Sequence, residues 1–224
     1  MKDKNINLGN QKGLLWIALG LLLIAAALLL TSYNLYNELH AEQASKQMLK
    51  WLEDYLPSEG NAEANNESAV EQEPSDTDDK TAIPNYVICP NMEMRVEVIN
   101  GVGFIGILQI PVVDMKLPII SEWNYPNLKK APCRYSGSVY MNNLIICGHN
   151  NFSQFGKLKK LHEGDIAIFT DMDGNVFTYK MVEWEILQST DIEKMKSGDW
   201  DLTLFACTAG GVNRLTIRFE LEKD

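Results

Sequence analysis

Apolar and polar positions divide the 224-residue chain into three zones. The first zone contains the run GLLWIALGLLLIAAALLL at residues 13–30, eighteen consecutive apolar residues without a charge. A membrane-spanning helix needs about 20 such residues, whereas the core of a signal peptide has about 7–15. The pattern therefore predicts a transmembrane anchor over residues 13–33, with a cleaved signal peptide as the alternative.

The charges that flank this run predict its orientation. Lys2, Lys4 and Lys12 precede the run, and Glu38 and Glu42 follow it. Because basic residues favour the cytoplasmic side of a membrane, residues 1–12 are expected to be cytoplasmic and everything after the helix extracellular. The sequence thus predicts a single-pass protein of the cell membrane.

The second zone is polar and strongly acidic. Residues 34–56 have the pattern of a polar, partly amphipathic helix that continues the anchor. Residues 57–80 contain eight acidic residues and one lysine, with no aromatic residue. Such a segment cannot bury enough apolar surface to order itself. Residues 34–83 are therefore interpreted as an extracellular stalk and acidic disordered linker.

The third zone, residues 84–224, has the pattern of a folded β domain. Short apolar runs alternate with turn signals such as Asn100-Gly101 and Asp173-Gly174. Eight or nine short strands with few helices indicate an all-β barrel or sandwich. Two short helices are predicted within this zone, over 154–161 and 190–196. The predicted strands are 94–99, 104–110, 117–120, 139–147, 165–170, 175–181, 183–188, 202–207 and 214–221.

Composition narrows the function. The net charge of −10, from 20 basic and 30 acidic residues, argues against nucleic acid as a partner, because a phosphate backbone needs a basic surface. Four cysteines without a CxxC pair and three histidines make a closed zinc site a poor hypothesis. The segment Asp171–Asn175 resembles a calcium loop, but Gly174 stands at its fourth position instead of the sixth, so a hairpin turn is predicted. No metal and no cofactor are expected.

Three reactive side chains stand at predicted strand ends. Cys207 ends the run DLTLFAC, His149 follows the buried run NLIICG, and Arg214 begins the next strand after Cys207. A nearby imidazolium favours the thiolate and can protonate a leaving amine, and an arginine can stabilise an oxyanion. The pattern allows a cysteine nucleophile with its acid/base and its oxyanion clamp, and the alternative is an inert buried cysteine with a structural histidine.

Each assignment has a rival within the domain. Arg218 shares the strand face of Arg214 but lies deeper in the strand, and His162 has the context of a solvated surface histidine. Cys147 shares the face of His149 and is expected in the core. Cys133 is expected in a loop, either free, oxidised or at the cleft. A disulfide through Cys207 would exclude the proposed chemistry.

These motifs, in this order, resemble the sortases, the membrane-anchored cysteine transpeptidases of Gram-positive bacteria. The resemblance covers residues 104–222, with GFIGILQIPVVDMKLPII, NLIICGHNNFSQFGKLKKLHEGD and DLTLFAC as its motifs. It implies a β-barrel of about eight strands with Cys207 as nucleophile, His149 as acid/base and Arg214 as substrate and oxyanion clamp. One departure is Ala206, where the motif usually has threonine, which puts substrate preference in doubt.

The resemblance also implies a reaction and its partners. A sorting signal of LPxTG type, on a surface protein or pilin, is cleaved through a thioacyl-enzyme and transferred to an amine of a cell-wall precursor or pilin. Residues 84–224 would then be the catalytic domain. The alternatives are a membrane-tethered β domain that binds a partner without chemistry and a simple hydrolytic cysteine peptidase.

Overall fold

The structure is a computed structural model that describes residues 7–56, 84–208 and 210–222. Two compact units are present, Met1–His40 and Ala41–Asp224. The predicted acidic linker lies outside the described residues, so its disorder and the boundary at residue 84 stay predictions.

The first unit contains most of a long helix, α1, which runs over Asn7–Tyr55. Its section Gly13–Tyr36 is long and apolar enough to cross a membrane, and its side chains are exposed. This section is compatible with a single-pass membrane anchor, in agreement with the predicted residues 13–33. Its orientation in a membrane stays a prediction.

The second unit is built on nine strands and short helices. The helices are α2 (Asn85–Ile88), α3 (Tyr125–Leu128) and α4 (Ile192–Lys196), with 3-10 turns at Pro111–Val113 and Phe155–Lys160. The strands are β1 (Glu97–Ile99), β2 (Val102–Ile110), β3 (Met115–Ile120), β4 (Cys133–Ser136), β5 (Leu144–Gly148), β6 (Ile166–Asp171), β7 (Val176–Gln188), β8 (Leu202–Cys207) and β9 (Asn213–Leu221).

Eight of these strands close into a barrel. The order is β2-β3-β4-β5-β8-β9-β7-β6, and β6 pairs again with β2, while β1 adds to the start of β2. Most neighbours are antiparallel, but β3 with β4 and β5 with β8 are parallel. The prediction of an all-β barrel of about eight strands with short helices is confirmed.

Alternation along the strands separates the barrel interior from its outer wall. Along β8, Leu202, Leu204 and Ala206 belong to the apolar cluster that fills the barrel. Thr203, Phe205 and Cys207 therefore face outward, because successive strand residues point to opposite faces. The predicted nucleophile, Cys207, therefore lies on the outer wall of the barrel.

A second apolar cluster lies outside the barrel, and the end of helix α1 contributes to it. Leu52 is fully buried and Met48 nearly so, in a cluster that includes Leu128 and Cys147. Lys116 on β3 forms an ion pair with Glu53. The helix expected after the anchor is therefore present, and its last turns are part of the folded domain.

Strand β4 was not anticipated, and Cys133 lies in it instead of in a loop. Its Cα partners are Ile120 of β3 and Cys147 of β5, and its side chain is fully buried. Strand β4 has only four residues and lacks a period-two pattern of burial, so the sequence carried no strand signal there.

Two further differences from the predicted strands lie at the start of β5 and within β7. Residues 139–142 form a turn, not the start of β5, because Asn142 has a φ of 52° and Asn143 Oδ1 accepts a hydrogen bond from Ser138 N at 2.9 Å. The predicted strands 175–181 and 183–188 are one strand, β7, with a bulge between Met181 and Glu183.

The predicted hairpin at Asp171 joins β6 to β7. The buried Asp171 carboxylate accepts hydrogen bonds from Asp173 N, Asn175 N, Asn175 Nδ2 and the Tyr140 hydroxyl, at 2.8–2.9 Å. Burial and this carboxylate raise the pKa of Tyr140. The Asp171 carboxylate thus stabilises the turn. Its four donors also satisfy its hydrogen-bonding capacity, as is usual for a buried polar group.

Candidate active site

Parallel pairing of β5 with β8 brings His149 and Cys207 to the same edge of the sheet. In this register Cys147 is opposite Phe205 and Gly148 is opposite Ala206. His149 follows Gly148 directly, and Cys207 follows Ala206. Because β5 and β8 run in the same direction, the side chains of His149 and Cys207 lie at the same height on the outer face of the barrel.

Arg214 joins them from the other side of β8. Cys207 and Arg214 are Cα partners in the antiparallel β8–β9 pair, so their side chains point to the same face. The three predicted side chains line one cavity of about 270 Å³ on the outer wall of the barrel, which we call the outer groove. The predicted trio therefore meets in one cavity.

The outer groove has an apolar floor and mixed walls. Phe205 and Cys147 lie in the sheet beneath it, Leu128 comes from α3, and Ile192 and Met195 come from α4. Aromatic rings contribute one wall: Tyr135 packs edge-on against Phe205, with ring centroids 5.3 Å apart. A peptide with apolar side chains fits such a lining better than a charged one does.

The glycine before His149 permits close packing at the end of β5. A Cβ atom on Gly148 would lie 2.6 Å from the ring of Phe155, closer than any real contact. Phe155 is buried in the 3-10 turn that follows the histidine. The absence of a side chain at residue 148 thus lets this turn pack against the strand and hold His149 at the rim of the groove.

A buried glutamine, Gln154, was missed by sequence reasoning. It is 1% exposed, and its Oε1 accepts the backbone N–H of His149 at 2.7 Å. Its Nε2 donates to the carbonyl of Leu128 at 2.8 Å. The side chain therefore ties the histidine backbone to the α3 wall. In the sequence, a single glutamine between Ser153 and Phe155 does not indicate this role.

The environment of His149 disfavours its charged form. Burial lowers the pKa of the imidazole, and the positive charge of Lys129 lowers it further. Both effects penalise the imidazolium, as desolvation and a like charge do in general. The ring therefore loses its proton at a lower pH than an exposed histidine.

The two candidate arginines differ in their partners. Arg218 is 1% exposed and forms an ion pair with Glu185 at 2.8 Å, and it does not line the outer groove. Arg214 is half-buried, and its Nη1 donates to the carbonyls of Gly211 and Asn213 at 3.0 and 3.1 Å. Geometry thus favours Arg214 for contact with a substrate.

The other rivals have structural positions. His162 is exposed, and its backbone N–H donates to Asp165 Oδ2 at 2.8 Å. Cys147 is buried under the groove, as expected, and burial raises the pKa of its thiol; burial also raises that of Cys133 to about 12. All four cysteines are free thiols, so no disulfide locks Cys207.

The departure at Ala206 affects the barrel interior and not the groove. Ala206 is 2% exposed and belongs to the interior cluster, between Gly148 and Leu215 in register. Its side chain does not line the outer groove, and an effect of this departure on substrate preference stays a prediction. The residue next to the nucleophile packs inward.

Within the described ranges, no group of three or more His, Cys, Asp or Glu side chains is placed to hold a metal ion.

The closed barrel of the second unit resembles the fold of solved sortase structures. Solved structures with this fold include sortase A from Corynebacterium diphtheriae, at 23% identity and a TM-score of 0.50, over 54% of this chain and 61% of that one. A lid mutant of the same enzyme has 23% identity and a TM-score of 0.51, over 55% of this chain and 72% of that one. A Clostridium perfringens sortase D5 transpeptidase has 23% identity and a TM-score of 0.50, over 57% of this chain and 83% of that one. This chain spans about three fifths of the first of these.

The family model of the Sortase domain matches residues 108–222, just over half of the chain, and the protein belongs to that family. Members of the family are, in general, cysteine transpeptidases. The search of curated proteins gives no match.

Proposed function

We propose that this protein is a cysteine transpeptidase that cleaves a sorting-signal peptide of LPxTG type and transfers the acyl part to an amine. The observation that carries this proposal is the meeting of Cys207, His149 and Arg214 in one cavity of a sortase-type barrel. The substrates would be surface proteins or pilins, and the acceptor an amine of a cell-wall precursor or pilin.

In the first step the Cys207 thiolate attacks the scissile carbonyl carbon, and a C–S bond forms. The carbon–nitrogen bond then breaks, and His149 donates a proton to the leaving amine. The product is a thioacyl-enzyme. In the second step an acceptor amine attacks the thioester, its proton passes to His149, and the C–S bond breaks.

Arg214 is assigned to the oxyanion that forms in both steps. Both of its hydrogen bonds within the described part of the chain come from Nη1. The Nε–H and Nη2–H groups can therefore donate to a substrate oxygen while Nη1 keeps the guanidinium in place. A fixed donor of this kind is worth about 10²–10³ in rate.

The first test uses the full-length chain in detergent and a library of LPxTG-type peptides. We expect a covalent acyl-enzyme in mass spectra, absent from Cys207→Ala and severely reduced in His149→Ala. Cys147→Ala is the matched control, because it removes a neighbouring buried thiol from the same cavity. Absence of any acyl-enzyme across the library would favour the binding-module alternative.

A second measurement separates transfer from hydrolysis. Added amines should divert the acyl group from water into amide products if the protein is a transpeptidase. A cysteine peptidase would give the hydrolysed acid alone at every amine concentration.

A further inference from the structure

Two buried cysteines, Cys133 and Cys147, lie side by side in the barrel wall, and the proposed reaction uses neither thiol. They are Cα partners in the antiparallel β4–β5 pair, so both side chains point to the same face. The Cys147 thiol donates to the carbonyl oxygen of Cys133 at 3.5 Å, so its sulfur is turned toward β4. Both residues belong to the apolar cluster outside the barrel. The two thiols therefore share one apolar site.

The spacing of directly paired residues in antiparallel strands suits a disulfide bond. Such residues have Cα atoms about 4.5–5.5 Å apart, and a disulfide needs a Cα separation of about 4.4–6.8 Å. Cys133 and Cys147 can therefore be bridged without moving either strand.

The other two cysteines are poor partners for these thiols. Cys147 is the Cα partner of Phe205, so Cys207 lies two residues further along β8. Diagonal neighbours of this kind are about 7–8 Å apart, beyond the limit of about 7 Å for a bridge between fixed strands. Cys89 follows α2, and the adjoining Pro90 lines a cavity at the opposite end of the barrel, where β7 begins and β9 ends.

A bond between the two thiols would strengthen the attachment of a short strand. Strand β4 has four residues and pairs with β3 through one Cα pair, Ile120 with Cys133. Its residue Tyr135 lines the outer groove and packs edge-on against Phe205. A covalent link from β4 to β5 would therefore hold this wall of the groove against the strand that leads to His149.

Cys147 is the thiol that an oxidant can reach. It lines the outer groove, whereas Cys133 is fully buried. Burial raises the pKa of both thiols. Because the thiolate is the form that attacks a disulfide, we expect their oxidation in the folded chain to be slow. The predicted extracellular location of the domain is one in which disulfides form and persist.

We propose that Cys133 and Cys147 are a redox-sensitive dithiol, which a small organic disulfide converts to a cross-strand disulfide that fastens β4 to β5 and leaves Cys207 free. The Cys147 thiolate attacks the organic disulfide, whose S–S bond breaks and releases one organic thiolate. The Cys133 thiolate then attacks the Cys147 sulfur of this mixed disulfide, and the second organic thiolate leaves. The two cysteines are oxidised, the organic disulfide is reduced to two thiols, and the cysteine protons end on those thiols.

The first test maps the bond in the full-length chain in detergent. The Cys207→Ala variant is incubated with bis(hydroxyethyl) disulfide, alkylated under denaturing conditions, digested and analysed by mass spectrometry. We expect the peptides that contain Cys133 and Cys147 to be linked, with the loss of two hydrogen atoms. Exposed Cys89 should carry a hydroxyethylthio adduct, which shows that the reagent reacted. Recovery of Cys133 and Cys147 as alkylated thiols, or a link between other cysteines, would overturn the proposal.

The second test measures whether the bond fastens β4. A bridge that closes a loop of this length should raise the Tm of the oxidised variant by about 5 °C or more. It should also slow amide hydrogen exchange in residues 133–136. Cys133→Ala in the same Cys207→Ala background is the matched control, because it keeps Cys89 and cannot close the bridge, so its Tm should not rise. A mapped bond with an unchanged Tm and unchanged exchange would overturn the assigned effect on β4.

The claim that Cys207 stays free rests on the proposed function and is tested in the unmodified chain. After oxidation, a brief treatment with a dilute monothiol removes adducts from exposed thiols first. We then expect the acyl-enzyme to form at a rate close to that of the reduced chain. An acyl-enzyme in the reduced chain alone would overturn the claim. Its absence from both forms would refute the proposed function, whereas the disulfide is decided by the mapping and the Tm.

Discussion

Two arginines on one face of β9 have opposite environments. Arg218, in the middle of the strand, donates five hydrogen bonds, to Glu185, Thr203 and the carbonyls of Lys194 and Met195. Arg214, at the start of the strand, donates two, both to carbonyls of the adjoining turn. Protein atoms therefore accept from every N–H group of the Arg218 guanidinium, whereas Arg214, four positions earlier, keeps donors for a ligand.

This difference separates an arginine that supports the fold from one that is free to contact a ligand. Arg218 connects β7, β8 and the last turn of α4, whose residues Ile192 and Met195 form one wall of the outer groove. Arg214 lines the groove itself. An arginine whose donors are all satisfied by protein atoms holds the wall, whereas one with free donors can meet a substrate.

The most severe test of this contrast is Arg218→Leu. The variant leaves the Glu185 carboxylate and two backbone carbonyls without their donor, and we expect a loss of about 3 kcal/mol or more in the free energy of unfolding. Urea denaturation of the full-length chain measures it. Arg214→Leu is the control, and its unfolding free energy should change by less than about 0.5 kcal/mol. Similar stabilities for both variants would refute the contrast.

Activity should show the reverse order. Arg214→Lys keeps the charge but loses the forked donor, and we expect acyl-enzyme formation to slow by about 10²–10³. The rate is measured by mass spectrometry under single-turnover conditions. Near-normal rates in this variant would mean that the oxyanion donor is another group.

A smaller effect is expected from the support at the end of α1. Leu52 is fully buried in the cluster that also contains Leu128 and Cys147 of the outer groove. Leu52→Ala should cost at least about 2 kcal/mol of unfolding free energy. Lys50→Ala, on an exposed position of the same helix, is the control. A Leu52 variant as stable as its control would show that the helix end is not part of the domain.

The smallest expected effect concerns the pH profile. Lys129 lowers the pKa of His149, so Lys129→Gln should move the limb of the profile that reports His149 to higher pH. The shift should shrink at 1 M salt, where the screening length is about 3 Å. Lys130→Gln, one residue on, is the control. A shift to lower pH would contradict the assigned cause.

Much of the barrel was readable from the sequence because its strands carry dense apolar runs. Strand β8 was predicted at its observed bounds, and β9 within one residue. Strand β4 was not, because its four residues gain strand geometry from β3 and β5 on either side and not from a pattern of their own. Pairing between distant segments decides such a strand.

The candidate site was predicted for a similar reason, and its support was not. Cys207, His149 and Arg214 each follow or begin a strong strand signal, so their positions at strand ends could be inferred. The hydrogen bonds of Gln154 and the burial of Leu52 join residues far apart in sequence. The sequence around Gln154 or Leu52 does not indicate which distant residues they contact.

The fixed register of β8 has a consequence for protein engineering. Ala206 lies between Gly148 and Leu215, so the nucleophile is positioned by two paired strands and not by the connection that carries α4. A foreign segment could therefore be grafted in place of residues 189–200, provided that it supplies carbonyl acceptors for Arg218 and keeps Asp201, which bonds Leu144, Phe219 and Leu221. Under the proposed function, such chimaeras would alter which peptides are selected while the Cys207 sulfur keeps its place.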